Sequence, residues 1–285
     1  MAYWGYLGFI RGYLSGFGQE ITPKILEIGV HKGQTFIPLV AHLMKNRENF
    51  QLTGVDVMQD ETLGIILANL TGDLDSEKQT VMMLRNNSLD FLEKFQVILD
   101  ADESYKEWGY WDVVFLDGDH NYYTVSKELE ILSNQLAKTG LMVIDDYDGR
   151  WAEDDEYFSE VDGYEEHLHL LAKPKDTQGK KRGVKTAVDE FVENNPGWKL
   201  DKRVFPHHTP ALLYREDHVM LLEVPPNQTA EETETMFADL LSQVRKEQVN
   251  NKVVFAFSGS DALEKGLDLT HNIEKTEKVI EDHEK

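Results

Sequence analysis

The chain of 285 residues contains no cysteine. Disulfide bonds, thiol nucleophiles and cysteine-ligated metal sites are therefore excluded. It also lacks any apolar run near the roughly 20 residues of a transmembrane helix. The first residues, Met1 to Gly5, have neither the basic start nor the apolar stretch of a signal peptide. We therefore expect a cytoplasmic protein that does not associate with membranes.

Basic residues are scarce, with 29 Lys and Arg against 52 Asp and Glu and a net charge of −23. Binding to a nucleic-acid backbone needs a basic surface, so a nucleic-acid partner is excluded. Solubility is the ordinary explanation of such an acidic chain, and a cationic substrate or a need for divalent cations is the more specific one. Hydrophobic residues make up 41% of the chain, which suffices for the core of one large domain.

Strand-like and helix-like stretches alternate from Lys24 onward. This alternation predicts an α/β fold with a doubly wound, mostly parallel sheet. The predicted strands are 25–28, 51–57, 80–84, 111–116, 141–144, 198–204 and 211–215. The predicted helices are 34–45, 61–69, one from 89 onward, 124–137 and 184–194. Lys138-Thr139-Gly140 is expected to end the fourth helix at a glycine.

Three other segments surround or interrupt this α/β domain, which we assign to residues 24–217. Residues 1–23 are rich in aromatic residues and glycine, and predict a helical segment that packs on the core, caps a pocket or forms a dimer contact. Residues 151–183 are first acidic and then basic, and predict a partly helical insertion that is either a surface excursion or a substrate lid. Residues 218–285 predict a small α/β extension and a charged tail.

The extension has a pattern of strand 219–224, helix 230–247 and strand 253–257, which predicts a βαβ-like unit. It carries no recognisable chemistry, so we expect a role in stability or in assembly. Self-association of two copies would use either this extension or the N-terminal segment.

Glu27 lies near the end of the first predicted strand, and Gly29, Gly33 and Thr35 follow in the turn after it. Glycines at this spacing predict a tight turn through which backbone approaches a ligand. The third glycine of the dinucleotide fingerprint is missing, and Glu27 would repel a phosphate but hold an ammonium group. Asp56 ends the second strand, where a carboxylate binds ribose hydroxyls in nucleotide-binding folds. A ligand with a ribose, a positive charge and no phosphate is indicated, and S-adenosylmethionine has these features.

A second group of polar residues follows the fourth and fifth strands. Asp117, Asp145 and Asp146 stand at strand ends that are neighbours in a doubly wound sheet, so we expect their carboxylates to converge. A hard divalent cation is the ordinary way to hold such acids together, and Mg²⁺ is preferred over Mn²⁺ or Ca²⁺. His120 lies three residues after Asp117 and is a candidate general base.

Residues 24 to about 215 resemble a class I S-adenosylmethionine-dependent methyltransferase. The stretches 117–122 (DGDHNY) and 183–191 (GVKTAVDEF) resemble the branch that contains small-molecule and sugar O-methyltransferases. The resemblance implies a Rossmann-like sheet of seven strands whose last strand runs antiparallel. His31 departs from the family pattern, and neither the insertion nor the residues after Asp217 have a recognised counterpart.

The resemblance also implies roles for individual residues. The methionine end of the cofactor would be bound by Glu27, Gly29, His31, Gly33 and Thr35, the ribose by Asp56, and the adenine by Ser88. Asn87 and Asp117 complete the predicted cofactor-binding set. In metal-dependent members the positions of Asp117, Asp145 and Asp146 bind Mg²⁺, and the position of His120 holds the base.

We therefore expect a Mg²⁺-dependent O-methyltransferase that acts on a small hydroxylated acceptor. Two alternatives stay open at this point. One is a metal-free methyltransferase of the same fold, directed to nitrogen or oxygen, and the other is a non-catalytic S-adenosylmethionine-binding or assembly protein. A nicotinamide-dependent dehydrogenase is the weakest alternative because of the missing glycine.

Overall fold

The computed structural model describes most of the chain between Ile10 and Ala256. The described residues are 10–11, 13–14, 17, 21–58, 61–72, 74–75, 77–101, 109–174, 181–201, 210–216, 219–221, 245–249 and 252–256. No helix among them is both long and apolar enough to cross a membrane.

Seven strands form one mixed sheet with the order β3-β2-β1-β4-β5-β7-β6. Its strands are β1 (Lys24–Ile28), β2 (Phe50–Asp56), β3 (Gln79–Arg85), β4 (Trp111–Leu116), β5 (Leu136–Ile144), β6 (Trp198–Asp201) and β7 (Ala211–Arg215). The strand β7 pairs antiparallel with both β5 and β6, whereas the pairs among β1 to β5 are parallel. The predicted seven-stranded, doubly wound fold with an antiparallel last strand is confirmed.

In the described part of the chain, five α-helices with defined bounds pack on the two faces of this sheet. They are α1 (Phe36–Asn46), α2 (Glu61–Leu70), α3 (Ser88–Asp100), α4 (Tyr122–Gln135) and α5 (Gly183–Asn194). Alternate residues of each central strand point to opposite faces. Ile25 therefore packs in the core under α1 and α2, and Leu26 in the core under α3, α4 and α5. Burial on both faces explains why β4 is apolar at every position except Asp112.

The expected glycine stop after the fourth helix is wrong. Helix α4 ends at Gln135, and β5 begins directly at Leu136, so Gly140 lies inside the strand. The pairing of β4 with β5 shifts register between Trp111 and Val113. A Cβ on Gly140 would lie 2.8 Å from the carbonyl oxygen of Trp111. It would also lie 2.5 Å from the side chain of Leu136 and 2.7 Å from the carbonyl oxygen of Ala137, so contacts inside the sheet, and not helix termination, leave no room for a side chain here.

The N-terminal segment is described only in part. Ile10 and Leu14 are buried in the core. The guanidinium of Arg47, at the end of α1, donates to the backbone carbonyls of Leu14 and Phe17 at 3.1 and 2.8 Å. These contacts support the interpretation that the segment packs on the core.

The described part of the C-terminal extension is a sheet of three antiparallel strands. These are β8 (Val219–Leu221), β9 (Arg245–Val249) and β10 (Lys252–Ala256), in the order β8-β10-β9. The expected βαβ unit is wrong here because β8 and β10 pair antiparallel, and because 245–247 lie in β9. The rest of the predicted helix, residues 230–244, lies outside the described residues, as do residues 202–204 of the sixth predicted strand.

Candidate active site

A cavity of about 240 Å³ lies at the carboxyl ends of the central strands. Its described lining residues are Glu27, Ile28, Gly29, Val30, His31, Gln34, Thr35, Val55, Asp56, Val57, Met58, Asn86, Asn87, Ser88, Asp117, Gly118, Asp119, His120, Phe158, Tyr164, Leu170 and Leu171. They include four carboxylates but no Lys or Arg. A phosphate-bearing ligand would meet charges of its own sign there, whereas a cation would be attracted.

The two glycines after β1 adopt positive φ angles of 88° at Gly29 and 74° at Gly33. A Cβ on Gly29 would lie 1.9 Å from the carbonyl oxygen of Asp117, and one on Gly33 would lie 2.6 Å from the side chain of Leu63. Both glycines are thus required by the packing of the protein on itself. Gly29 lines the cavity, whereas Gly33 is not among its described lining residues.

Glu27 is the most deeply buried carboxylate of the cavity, with 2% of its surface exposed. Its Oε2 atom has no hydrogen-bond partner among the described residues. Burial, and then the charge of Asp56, hold the pKa of Glu27 well above its usual range. A buried carboxyl with an unused acceptor is suited to bind a donor, and a cationic donor would stabilise its ionised form.

Asp56 organises the turn between β1 and α1. Its Oδ2 atom accepts from the backbone N–H of His31 at 2.6 Å, and its Oδ1 atom accepts from that of Met58 at 2.8 Å. His31 has a φ of 47°, which this bond helps to hold. Thr35, 4% exposed, lines the cavity at the start of α1. Asp56 keeps further lone pairs for a ligand, because each carboxylate oxygen can accept two hydrogen bonds.

Asn87 and Ser88 begin α3 at another part of the cavity. The Oδ1 atom of Asn87 caps the helix by accepting from the N–H groups of Leu89 and Asp90, at 2.9 and 3.2 Å. Its Nδ2 atom donates to the carbonyl of Leu170. Asn87 therefore has a structural task in addition to its place in the cavity lining, and Ser88 is the freer of the two for a ligand.

Asp117, Asp145 and Asp146 converge at the ends of β4 and β5, as predicted. The carboxyl groups of Asp117 and Asp145 are hydrogen-bonded to one another. Burial, followed by the nearby charges of Asp145, Glu27 and Asp146, raises the pKa of Asp117 well above its usual range. Asp146 has a φ of 54°. No group of three or more His, Asp or Glu side chains in the described part of the chain has metal-ligand geometry.

His120 lies between two of these acids. Its Nε2 atom is 3.8 Å from Oδ1 of Asp117, and its Nδ1 atom is 3.6 Å from Oδ2 of Asp146. The ring of Phe158 has its centroid 6.3 Å from that of His120. His120 lines the cavity, while Asp145 and Asp146 lie outside its described lining. These positions place the imidazole at the cavity surface beside two carboxyl groups, as expected of a candidate general base.

Sequence reasoning missed one acid of the cavity, Asp119. Burial raises its pKa to about 6, against hydrogen bonds from Thr124, Asn121 and the backbone of Ala172, which lower it. Its position two residues after Asp117, in the same strand-end run, was the available signal.

The insertion supplies four further lining residues that the sequence did not identify: Phe158, Tyr164, Leu170 and Leu171. Phe158 and Tyr164 contact one another with ring centroids 5.0 Å apart. Asp155 fixes the start of this segment by accepting from the N–H groups of Tyr122 and Gly183, at 2.7 and 3.1 Å. The insertion therefore forms one wall of the cavity, which agrees with the lid interpretation more than with a surface excursion.

The 183–191 stretch anchors the loops of the site without lining the cavity. The hydroxyl of Tyr122 donates to Glu190, and that of Tyr147 donates to Asp189, both at 2.6 Å. Tyr122 and Tyr147 follow β4 and β5, so α5 holds both strand-end loops in place.

Comparison with known proteins agrees with this architecture. Residues 26–147 match the model of a family described as a methyltransferase domain. No curated protein matches the chain.

Similar solved structures are all distant. The MycE methyltransferase from the mycinamycin biosynthetic pathway, in complex with Mg, SAH and mycinamycin VI, is 16% identical over 74% of this chain and 48% of its own, with a TM-score of 0.41. A putative rRNA-methylase from Clostridium thermocellum is 13% identical over 75% and 98%, with a TM-score of 0.43. The mitomycin 7-O-methyltransferase MmcR is 12% identical over 74% and 54%, with a TM-score of 0.37.

The chain thus spans about half the length of the MycE protein, and at these scores the solved structures do not bear on its substrate. The matched segment 26–147 covers β1 to β5 together with Glu27, Asp56, Asp117 and His120. Residues 26–147 are therefore similar to a methyltransferase domain.

Proposed function

We propose that the protein is a divalent-metal-dependent O-methyltransferase that acts on a small hydroxylated acceptor. The observation that carries this proposal is the position of His120, which lines the cavity and has one ring nitrogen toward Asp117 and the other toward Asp146. A proton acceptor in an acidic pocket suits a hydroxyl acceptor, which must lose a proton during methylation.

Three features of the cavity support binding of S-adenosylmethionine. The unpartnered Oε2 of Glu27 suits the ammonium of the methionine end. Asp56, with acceptor capacity left on both oxygens, suits the ribose hydroxyls. Ser88 suits the adenine. The lack of Lys and Arg in the described lining agrees with a cofactor that carries no phosphate.

Mg²⁺ fits the donor set of Asp117, Asp145 and Asp146 by its chemistry. Three carboxylates provide the oxygen ligands that this cation prefers. Burial and the nearby charges of Asp145, Glu27 and Asp146 raise the pKa of Asp117, and a bound cation would oppose that shift. Their side chains would have to reorient to bind a metal, since no metal-ligand cluster exists among the described residues.

In the proposed reaction, His120 removes the proton of the acceptor hydroxyl at Nε2, while Asp146 stabilises the imidazolium from the Nδ1 side. When bound, S-adenosylmethionine would supply the electrophilic methyl group, and Mg²⁺ would polarise the acceptor oxygens. Phe158 and Tyr164 line the cavity, and their rings would limit access of water to a bound acceptor. Most of the rate enhancement would come from positioning.

A metal-free methyltransferase is the second candidate, and the absence of a preformed cluster of three metal ligands in the described residues favours it. Activity in the presence of EDTA, followed by titration with Mg²⁺, separates the two. Acceptors would be screened with purified protein and radiolabelled S-adenosylmethionine.

The Asp variants test the assignment of the site. Asp56→Ala should weaken cofactor binding, whereas Asp145→Ala should leave it unchanged and abolish turnover. Calorimetric titration with S-adenosylhomocysteine measures the first effect. Full activity in EDTA would contradict the metal assignment, and unchanged cofactor affinity of the Asp56 variant would contradict the assigned ribose site. Cofactor binding without methylation of any acceptor would favour the non-catalytic alternative.

A further inference from the structure

Glu128 is a buried carboxyl that the proposed mechanism does not use. It lies on α4 with 1% of its surface exposed, and its Oε1 atom has no hydrogen-bond partner among the described residues. The Glu128 carboxyl forms a hydrogen bond with the hydroxyl of Ser88, which is the first residue of α3. Ser88 lines the cavity at the predicted adenine end, so Glu128 lies directly behind a candidate ligand-binding residue.

Two groups act on the Glu128 carboxyl: the hydroxyl of Ser88 from α3 and the charge of Asp119 from the loop before α4. Helix α5 also packs against α4, but its Asp189 and Glu190 are paired with Lys185 and Arg182. Burial raises the pKa of Glu128 to about 8, the Ser88 hydrogen bond lowers it and Asp119 raises it. A pKa of about 8 favours the protonated form of the carboxyl at neutral pH.

The protonation state of Glu128 sets the direction of its hydrogen bond with Ser88. A protonated carboxyl can donate to the Ser88 oxygen, which leaves the single hydroxyl proton of Ser88 free to point into the cavity. An ionised carboxylate accepts only, so it takes that proton and leaves lone pairs facing the cavity. The same serine thus offers a donor in one state and an acceptor in the other.

We propose that Glu128 is a positioning residue for cofactor binding, which makes Ser88 present a hydrogen-bond donor to the adenine. This proposal rests on the proposed function, because it assumes that the adenine of S-adenosylmethionine lies against Ser88. It adds a residue outside the cavity to the determinants of cofactor affinity. A glutamate that served only to tie α3 to α4 would stabilise the fold without changing the pH dependence of binding.

The test is calorimetric titration of the full chain with S-adenosylhomocysteine between pH 6.5 and 9.0. Loss of one neutral hydrogen bond weakens binding about two- to tenfold, so the wild-type dissociation constant should rise by that factor across this range. Glu128→Gln is the matched variant, because its amide donates to Ser88 at every pH. The variant should bind S-adenosylhomocysteine as tightly as the wild type at pH 6.5. At pH 9.0 it should bind more tightly than the wild type, because its affinity falls less as the pH rises.

Titration of the ligand's own amino group affects all variants equally, so the ratio of wild-type to variant dissociation constants isolates Glu128. Ser88→Ala should bind two- to tenfold more weakly at pH 6.5 and should lack the wild-type loss of affinity at higher pH. If Glu128→Gln fails to fold, the pH dependence of S-adenosylhomocysteine binding by Ser88→Ala tests the proposal without it.

A ratio that stays constant from pH 6.5 to 9.0 for both variants would overturn the proposal. Absence of S-adenosylhomocysteine binding by the wild type at every pH would instead contradict the proposed function.

Discussion

Replacement of Glu27 by Gln tests the cofactor assignment most directly. The carboxyl is 2% exposed and has an oxygen without a partner in the described structure. A hydrogen bond from an ammonium group to a carboxylate contributes about 1.5–3 kcal/mol. The variant keeps the shape of the side chain but not its charge, so we expect it to bind S-adenosylmethionine about 10- to 150-fold more weakly. Isothermal titration calorimetry measures this loss.

The same variant weakens ligand binding but should stabilise the ligand-free fold relative to the wild type as the pH rises. Burial raises the folded-state pKa of Glu27 above its unfolded value of about 4.5. The native state therefore keeps a proton that the unfolded chain releases, and its stability falls as the pH rises from the unfolded towards the folded pKa. Glu27→Gln removes this dependence, so its stability relative to the wild type should increase with pH. Urea unfolding at pH 5 and pH 8 measures the difference.

Binding of the cofactor should also release a proton. Burial favours the protonated form of Glu27 in the empty cavity, because it raises the pKa of the carboxyl, whereas a bound ammonium group favours the ionised form. Titrations in buffers with different ionisation enthalpies report this proton, which the Gln variant should not release.

Asp112→Asn is the control for Glu27→Gln. Asp112 is also a buried acid, 9% exposed, but it accepts from the backbone N–H of Lys24 at 2.9 Å and lies outside the described cavity lining. Its replacement should leave cofactor affinity unchanged. A Glu27 variant that binds S-adenosylmethionine within twofold of the wild type would refute the ammonium assignment.

Two further predictions concern catalysis and the turn after β1. His120→Asn should lower kcat about 10²- to 10⁴-fold with unchanged cofactor affinity, as steady-state rates and calorimetry would report, and a normal rate would exclude His120 as the base. Gly29→Ala should destabilise the fold by about 1–3 kcal/mol or more, because its Cβ would lie 1.9 Å from a carbonyl oxygen at a φ of 88°. Gly64→Ala, in an open position on α2, should be neutral or stabilising in the same unfolding assay.

The sequence predicted the strands of the sheet well because their signal is local. Trp111–Leu116 and Ala211–Arg215 have the predicted bounds, since a strand buried on both faces is a continuous apolar run. Gly140 was misread because the contacts that leave no room for a Cβ there form only in the folded sheet, with Leu136 and Ala137 of its own strand and with Trp111 of β4. A glycine that allows close approach of strands looks in sequence like a glycine that ends a helix.

The candidate site was predictable to the extent that strand ends determine it. Glu27, Asp56, Asp117 and His120 all line the cavity, because the carboxyl ends of parallel strands meet at one edge of a sheet. Phe158 and Tyr164 could not be placed in this way. They belong to an irregular insertion whose path depends on hydrogen bonds such as those of Asp155 with Tyr122 and Gly183.

The acids of the site link ligand binding to stability. Glu27 and Asp117 have pKa values raised first of all by burial, so each contributes unfavourably to the empty fold when it ionises. No Lys or Arg among the described lining residues offsets these charges. A core of buried side chains on both faces of the sheet tolerates that cost, and cationic ligands remove it by stabilising the ionised forms. Residues that were retained only for stability would instead have partners within the protein, as Asp189 has in Tyr147 and Lys185. The contrast between Asp189 and Glu27, whose Oε2 has no partner among the described residues, therefore distinguishes a scaffold acid from a candidate ligand-binding acid.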